Sequence, residues 1–250
     1  MHIAMVASEA VPWAKTGGLG DVLGSLPRAM PPHTRVSLFL PKYATPGIDA
    51  LTPARVDEFR SVAGTQTFPV RILRHDVTAR FRVFLVEQDV LFARRFLYGD
   101  MGCDYPDNFT RFLLFQRAVL DFLSRGGPGP VDILHAHDWQ AALLPLLLRR
   151  RYRKGPLGGT RTVFSIHNLG YQGLFPAVRF AELDLPGWFF TPETLEFHGQ
   201  LNFLKAGILY ADAVTTVSPT YAREIQTQPF GFGLDGLLRA QRRKLTGILN

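Results

Sequence analysis

"HIAMVASEAVPWAKTGGLGDV" (His2 to Val22) opens on an unbroken apolar run and closes on three glycines spaced around the start of a helical pattern. A strand with one solvated face alternates apolar and polar residues. His2 to Ser8 does not, so it reads as a strand buried on both faces, the signature of a parallel sheet. Four other runs share that character: "RVSLFLP" (Arg35 to Pro41), "VDILHAH" (Val131 to His137), "RTVFSIH" (Arg161 to His167) and "DAVTTVS" (Asp212 to Ser218). Helical patterns separate them at Gly20 to Met30, Asn108 to Ser124, Trp139 to Arg151, Asn202 to Tyr210 and Pro219 to Gln226. The last stands behind the cap-and-start pair Ser218-Pro219. The alternation predicts an α/β fold with a doubly wound, Rossmann-like sheet. Arg55 to Ala63, Thr67 to His75 and Arg80 to Val86 read as extra strands outside the crossover pattern, and "GGPGP" (Gly126 to Pro130) as a helix-to-strand turn.

Composition bounds the setting. A chain of 250 residues with mean hydropathy near zero is an ordinary globular chain able to bury a real core, as one large domain or two small ones. Its one cysteine, Cys103, excludes an internal disulfide and any multi-cysteine metal site, and a cytoplasmic setting is expected. No apolar run approaches the roughly 20 residues that span a bilayer, so no membrane partner is expected. The net charge of +7 suggests an anionic partner. Much of that excess lies in "RRRYRK" (Arg149 to Lys154) and "RAQRRK" (Arg239 to Lys244), which lack the aromatic alternation of a stacking platform. They read as solvated helix ends, and nucleic acid is not expected as a partner.

In a doubly wound sheet, ligands sit beyond the carboxyl ends of the strands. There the sequence places Glu9, Lys15, Gly17, Gly18 and Asp21 after the first strand, and His137, Asp138 and Trp139 after "DILHAH". His167, Asn168, Tyr171 and Gln172 follow "TVFSIH", and Ser218 follows "AVTTV". The glycine stretch is not a dinucleotide fingerprint, because roughly eight residues separate the strand from the first glycine, where a Rossmann turn allows almost none. Nor is it a P-loop, since the lysine precedes the glycines. Its parts are still those of an anion site: glycines admit a ligand to the backbone, a helix start offers free N–H groups, and Lys15 adds a point charge. A flexible turn with a solvated lysine is the alternative. In "HAHDW" (His135 to Trp139) the two histidines share one side of an extended segment, and a metal site with His167 as third ligand is conceivable. No E-x-x-H spacing or second carboxylate cluster accompanies them, so His135 reads as a core histidine and no metal is expected. Asp138 and Trp139 suit a hydroxyl-rich ligand instead, one accepting hydrogen bonds and the other offering an apolar face.

"KTGGLGDV", "YPDN" with "RF" (Tyr105 to Asn108, Arg111 to Phe112), "HAHDWQA", "HNLGYQG" (His167 to Gly173), "FLKAGILYAD" and "TTVSPTYAREI" stand in the order and spacing of one family. On these motifs the sequence resembles the bacterial glycogen synthases and plant starch synthases. The resemblance implies a retaining glucosyltransferase that moves glucose from ADP-glucose to the non-reducing end of an α-1,4-glucan, glycogen or a maltooligosaccharide, without metal or other cofactor. It implies a GT-B enzyme, two Rossmann-like domains facing across a cleft, of which residues 1–250 would be the N-terminal, acceptor-side domain. Carried over by motif, Lys15 and His167 are the catalytic candidates, and Lys15, Gly17 and Gly18 bind the donor. Glu9, Asp21, Tyr98, Asp138, Trp139 and Asn168 line the acceptor side. Gly20 stands where alanine is also common in the family.

Glycosyl transfer builds positive charge at the sugar carbon and negative charge on the departing diphosphate, so preorganised donors aimed at the leaving group are the main lever. A neutral histidine can hold the sugar without setting a cation beside an oxocarbenium-like centre. "LTGILN" ends where the family runs on through "NGVD" into a second domain, so the isolated chain is expected to be inactive unless that domain is supplied, in cis or in trans. Two other classes remain open: a non-catalytic glucan-binding module, and a nicotinamide-dependent enzyme, against which the failed fingerprint weighs.

Overall fold

In the computed structural model, which describes residues 1–250, the apolar runs lie side by side in one nine-stranded sheet. Its strands are β1 (His2–Val6), β2 (Arg35–Pro41), β3 (Ala54–Ala63), β4 (Gln66–Asp76), β5 (Phe81–Glu87), β6 (Ile133–His137), β7 (Arg161–Ile166), β8 (Ala213–Thr216) and β9 (Leu245–Gly247). Across the sheet the order is β9-β8-β7-β6-β1-β2-β5-β4-β3. Neighbours from β9 to β5 are parallel, and β4 runs antiparallel to both β5 and β3. Of the three strands read as lying outside the crossover pattern, β5 continues the parallel sheet beside β2, while β4 and β3 extend it as an antiparallel meander.

The unbroken apolarity of β1 follows from its central place. Met5 sits opposite Leu38 on one side and His135 on the other, and every residue of the strand is buried. Because successive side chains leave opposite faces, Ile3 and Met5 enter one apolar layer with Leu38, Leu40, Val83 and Leu85. Ala4 and Val6 enter the other with Phe39, Phe84, Leu134 and Phe164. Helix α1 (Gly18–Ala29) covers the first layer through Leu19 and Leu23, and α2 (Asn108–Ser124) covers the second. α2 is apolar nearly all round because it is almost wholly enclosed, and Phe112, Leu113 and Phe115 have no exposed surface. Each such side chain contributes roughly 1.5–3 kcal/mol relative to exposure.

The segment expected as one helix from Trp139 to Arg151 is broken into a 3₁₀ turn (Trp139–Ala141), one α turn (Leu144–Leu147) and a π turn (Leu148–Tyr152). Pro145 has no N–H to give the preceding turn, so the first stretch cannot run into the second as regular α-helix. The other crossover helices lie where the periodicity placed them. α3 is Phe203–Tyr210, and α4 (Pro219–Glu224) begins behind Ser218, whose Oγ accepts from the Tyr221 amide at 2.9 Å. Missed in the sequence were β9 and a three-stranded antiparallel patch, Leu174–Pro176, Gln200–Asn202 and Glu196–Phe197, each too short to carry a period. No helix is long and apolar enough to cross a membrane.

Candidate active site

Parallel pairing brings the carboxyl ends of β1, β6, β7 and β8 to one rim as immediate neighbours. β1 is followed by Ser8 and Glu9, both buried. The Glu9 carboxylate accepts from the Thr16 amide (2.6 Å) and the Gly17 amide (3.0 Å) through Oε2, and from the Thr16 hydroxyl (2.6 Å) through Oε1. It therefore clamps the loop that presents Lys15 and the glycines. A Cβ built on Gly17 or Gly18 would meet nothing within 4 Å, so these glycines face open space, and the fold itself does not need their smallness. Helix α1 starts here with no side chain capping it, which leaves first-turn amides directed at that space. Lys15 Nζ lies 2.7 Å from Asp21 Oδ1 in a pair that is about half exposed on both sides.

Tyr98 completes the clamp from another element. Its hydroxyl donates to Glu9 Oε1 at 2.6 Å and meets Ser8 Oγ at 2.7 Å, and burial holds its pKa well above the usual phenol range. The segment carrying Tyr98 is tied down from α2. Asn108 Nδ2 donates to the Tyr98 carbonyl (2.8 Å), and the fully buried Arg111 donates to the carbonyls of Leu91 and Leu97 and to Asn108 Oδ1. "YPDN" with "RF" thus holds Tyr98, and through it Glu9, in place. The motif was legible in the sequence, but its task was not.

On the other half of the rim, three histidines stack inward. The rings of His135 and His137 are 4.0 Å apart, His135 Nε2 meets Ser165 Oγ at 2.7 Å, and His137 Nδ1 meets His167 Nε2 at 3.0 Å. Burial lowers all three: His167 to about 4, His135 to about 3, and His137 well below its ordinary value with the neighbouring rings adding to the effect. His167 is therefore neutral at pH 7, and its Nδ1 has no partner in the protein. Asp138 ties β6 to β7, its Oδ1 accepting from the amides of His167 (2.7 Å) and Asn168 (3.4 Å). It does so at φ 55°, ψ −176°, a backbone region that strongly favours glycine and that persists in other residues only where the surroundings enforce it. Burial pushes its carboxyl up to about 7, against the pull of the two amides. No group of three or more His, Cys, Asp or Glu side chains is arranged to hold a metal ion.

These shifts set a pH dependence for stability. An imidazole lowered to about 3–4 in the folded chain stabilises it fully above its unfolded value near 6.5 and loses that contribution as pH falls toward 4. Asp138, raised from 3.8 to about 7, acts in the opposite sense and regains stability over the same fall. Near pH 5, unfolding lets three imidazoles gain a proton and one carboxyl lose one, so unfolding takes up about two protons. The melting temperature is expected to drop steadily from pH 6.5 to 4.5. A flat thermal profile across that window would contradict the buried neutral cluster.

Residues 2–240 match the family described as the starch synthase catalytic domain. The chain belongs to this family. It is 49% identical over 255 residues to the glycogen synthase of Anaeromyxobacter sp. (strain Fw109-5) and 44% identical over 252 residues to glycogen synthase 2 of Geobacter sulfurreducens. Each match covers 100% of this chain and 52% of the relative. Among solved structures, the catalytic domain of starch synthase IV from Arabidopsis thaliana, bound to ADP and acarbose, superposes with a TM-score of 0.88 at 31% identity. That match covers 100% of this chain and 51% of the plant chain. The chain thus spans about half the length of the curated relatives it matches, and its sheet is the mostly parallel α/β sheet of a GT-B starch synthase domain.

Within this starch synthase fold the candidate residues fall into two groups on neighbouring strand ends. Lys15, Gly17, Gly18, Asp21 and Tyr98 gather around the Glu9 clamp, while Asp138, His167 and Asn168 gather at the ends of β6 and β7. Asn168 is exposed and closes a turn by accepting from Gly170 N at 2.9 Å. Trp139 is half-buried, its ring set edge-on to Phe112 (4.9 Å) and Phe175 (5.8 Å), with Gly173 packed so closely that a Cβ there would lie 2.6 Å from the indole. Its contacts are with the core. Of the remaining rim candidates, Tyr171 is exposed, while Gln172 is buried between Asn202 and the Phe232 carbonyl. Ser8 and Ser165 support the site without having been singled out from the sequence, and Thr16, Asn108 and Arg111 stand in motifs whose supporting task the sequence did not show.

Proposed function

We propose that this chain is the acceptor-side domain of a glycogen synthase, transferring glucose from ADP-glucose to the non-reducing end of an α-1,4-glucan in the cytoplasm, together with a second, donor-binding domain. The observation that carries the reading is the rim itself. An uncapped helix start behind two open-faced glycines, with Lys15 beside it, shares one edge of the sheet with a half-buried, neutral histidine. The first group suits a leaving diphosphate, whose developing charge meets helix-terminal amides and a lysine. The second suits a sugar, which would lie against a half-buried His167 ring that sets no positive charge near the reacting carbon. The glycogen synthase relatives, and a plant neighbour bound to ADP and acarbose, support both substrate classes. In this reading Glu9 and Tyr98 act by shaping the loop, and Asp138, Asn168 and Trp139 by shaping the acceptor wall.

The test is incorporation of labelled glucose from ADP-glucose into glycogen by this chain joined to the second domain of a relative. Absence of incorporation alongside retained maltooligosaccharide binding would favour the binding-module alternative. Within such an enzyme, His167→Ala is expected to lower turnover about tenfold or more by removing the ring that lines the place of the reacting sugar. It also strands His137 Nδ1, so turnover has to be read well below the melting midpoint. Activity that falls only in step with melting temperature would make His167 a structural residue.

A further inference from the structure

A cavity of about 390 Å³ opens between the outer strand β3, the carboxyl-terminal half of α2 and the π turn Leu148–Tyr152. It is separate from the rim, whose supports Asn108 and Arg111 belong to the opposite, amino-terminal end of α2. Four arginines line it: Arg60, Arg117, Arg125 and Arg151. Arg125 pairs with Asp57 at 3.0 Å and Arg151 with Asp184, whereas Arg60 and Arg117 have no carboxylate within ion-pair distance. The one carboxylate in the wall, Asp121, is occupied by hydroxyls, accepting from Ser61 and Tyr152 at 2.6 Å each.

Arg117 is the decisive residue, because it is only 3% exposed and yet has no carboxylate within ion-pair distance. Its two terminal nitrogens donate to the carbonyls of Val62 (3.0 Å), Leu183 (2.7 Å) and Glu182 (3.4 Å), and its Nε is buried without a partner. A buried guanidinium held only by carbonyls is costly unless an anion completes it. Planar guanidinium groups match the oxygens of a phosphoryl group, and a volume within the roughly 300–1,000 Å³ of small-molecule sites leaves room for more than a bare ion. A glucan fits less well, since the Phe59 ring that could stack on a sugar is covered by the Arg125 guanidinium at 5.4 Å.

We propose that this cavity is a second ligand site that binds a phosphoryl dianion, free or as a small phosphate monoester, with Arg60 and Arg117 supplying the unmatched charge and Arg125 and Arg151 the rim. The site stands independently of the glucosyl-transfer reading.

The test is calorimetric titration of the purified chain with inorganic phosphate and, separately, with a hexose phosphate, at constant ionic strength set by chloride. Saturable one-site binding is expected, weakened at least tenfold by Arg60→Ser combined with Arg125→Ser. These are surface changes whose effect on folding is checked by the melting temperature without ligand. Tighter binding of the hexose phosphate would identify the ligand as an ester, and equal binding would identify free phosphate. Lys15→Ala is expected to leave both affinities unchanged. Absence of saturable binding, unchanged affinity in the double variant, or loss of binding in Lys15→Ala would each overturn the site, the last by moving the anion to the rim.

Discussion

A polypeptide of residues 1–250, incubated alone with ADP-glucose and glycogen, is expected to incorporate glucose at less than about a thousandth of the rate reached with a donor-binding domain present. The curated relatives are about twice as long as this chain, and in the proposed reading a second domain supplies the facing wall of the rim. Lys15 and the start of α1 approach the proposed diphosphate from one side only, and the loss of a single preorganised donor typically costs about 10² to 10³ in rate. An open wall also leaves the reacting centre in water, which weakens every electrostatic contribution that remains. Weak maltooligosaccharide binding should survive, because Glu9, Asp138 and the segment from His167 are held by bonds internal to this chain. The measurement is labelled glucose incorporation with and without the second domain added in trans. Robust transfer by residues 1–250 alone would sink the two-domain reading.

Lys15→Ala, in an enzyme containing both domains, should lower turnover roughly 10²-fold or more while leaving the melting temperature nearly unchanged. The separation follows from its surroundings. The Lys15–Asp21 pair is exposed on both sides, and such pairs are worth at most about 1 kcal/mol. The loop keeps its shape through Glu9, which bonds Thr16 and Gly17 and makes no hydrogen bond to Lys15. What the substitution removes is a charge beside an uncapped helix start, where it matters only when an anion is present. Turnover within a fewfold of the parent would make Lys15 a solvated loop residue, and an equal loss of stability would make it part of the fold.

The sheet was legible because its strands are buried on both faces: runs such as Ile3 to Val6 admit hardly any reading except a central parallel strand. Helix α2 was legible to the residue, since an aspartate-asparagine start and a glycine-rich end bracket an enclosed apolar stretch. The Trp139–Arg151 helix failed where Pro145 broke a pattern that apolarity alone suggested. β9 and the small antiparallel patch were invisible because two or three residues cannot display a period. In the site, position along the chain placed Glu9, Lys15, Asp138 and His167 on one rim, since strand ends are readable. Partners were not readable. That Glu9 holds the glycine loop, that Tyr98 joins it from some 90 residues away, and that Trp139 packs edge-on against phenylalanines are facts of tertiary contact that no local pattern encodes.

The backbone at Asp138 has a consequence for anyone improving this protein. Held at φ 55° and with a buried carboxyl raised to about 7, Asp138 is a liability to the fold at neutral pH. Asparagine would keep the oxygen that accepts from His167 and Asn168 and drop the buried charge. Directed evolution for heat resistance near pH 8 would therefore be drawn to this position early, and its winners would be the variants in which the proposed acceptor wall has lost this charge. With Asp138 in its proposed acceptor-wall role, survival and catalysis would pull one codon in opposite directions, and a library scored only by residual folding would discard the chemistry it was built to keep.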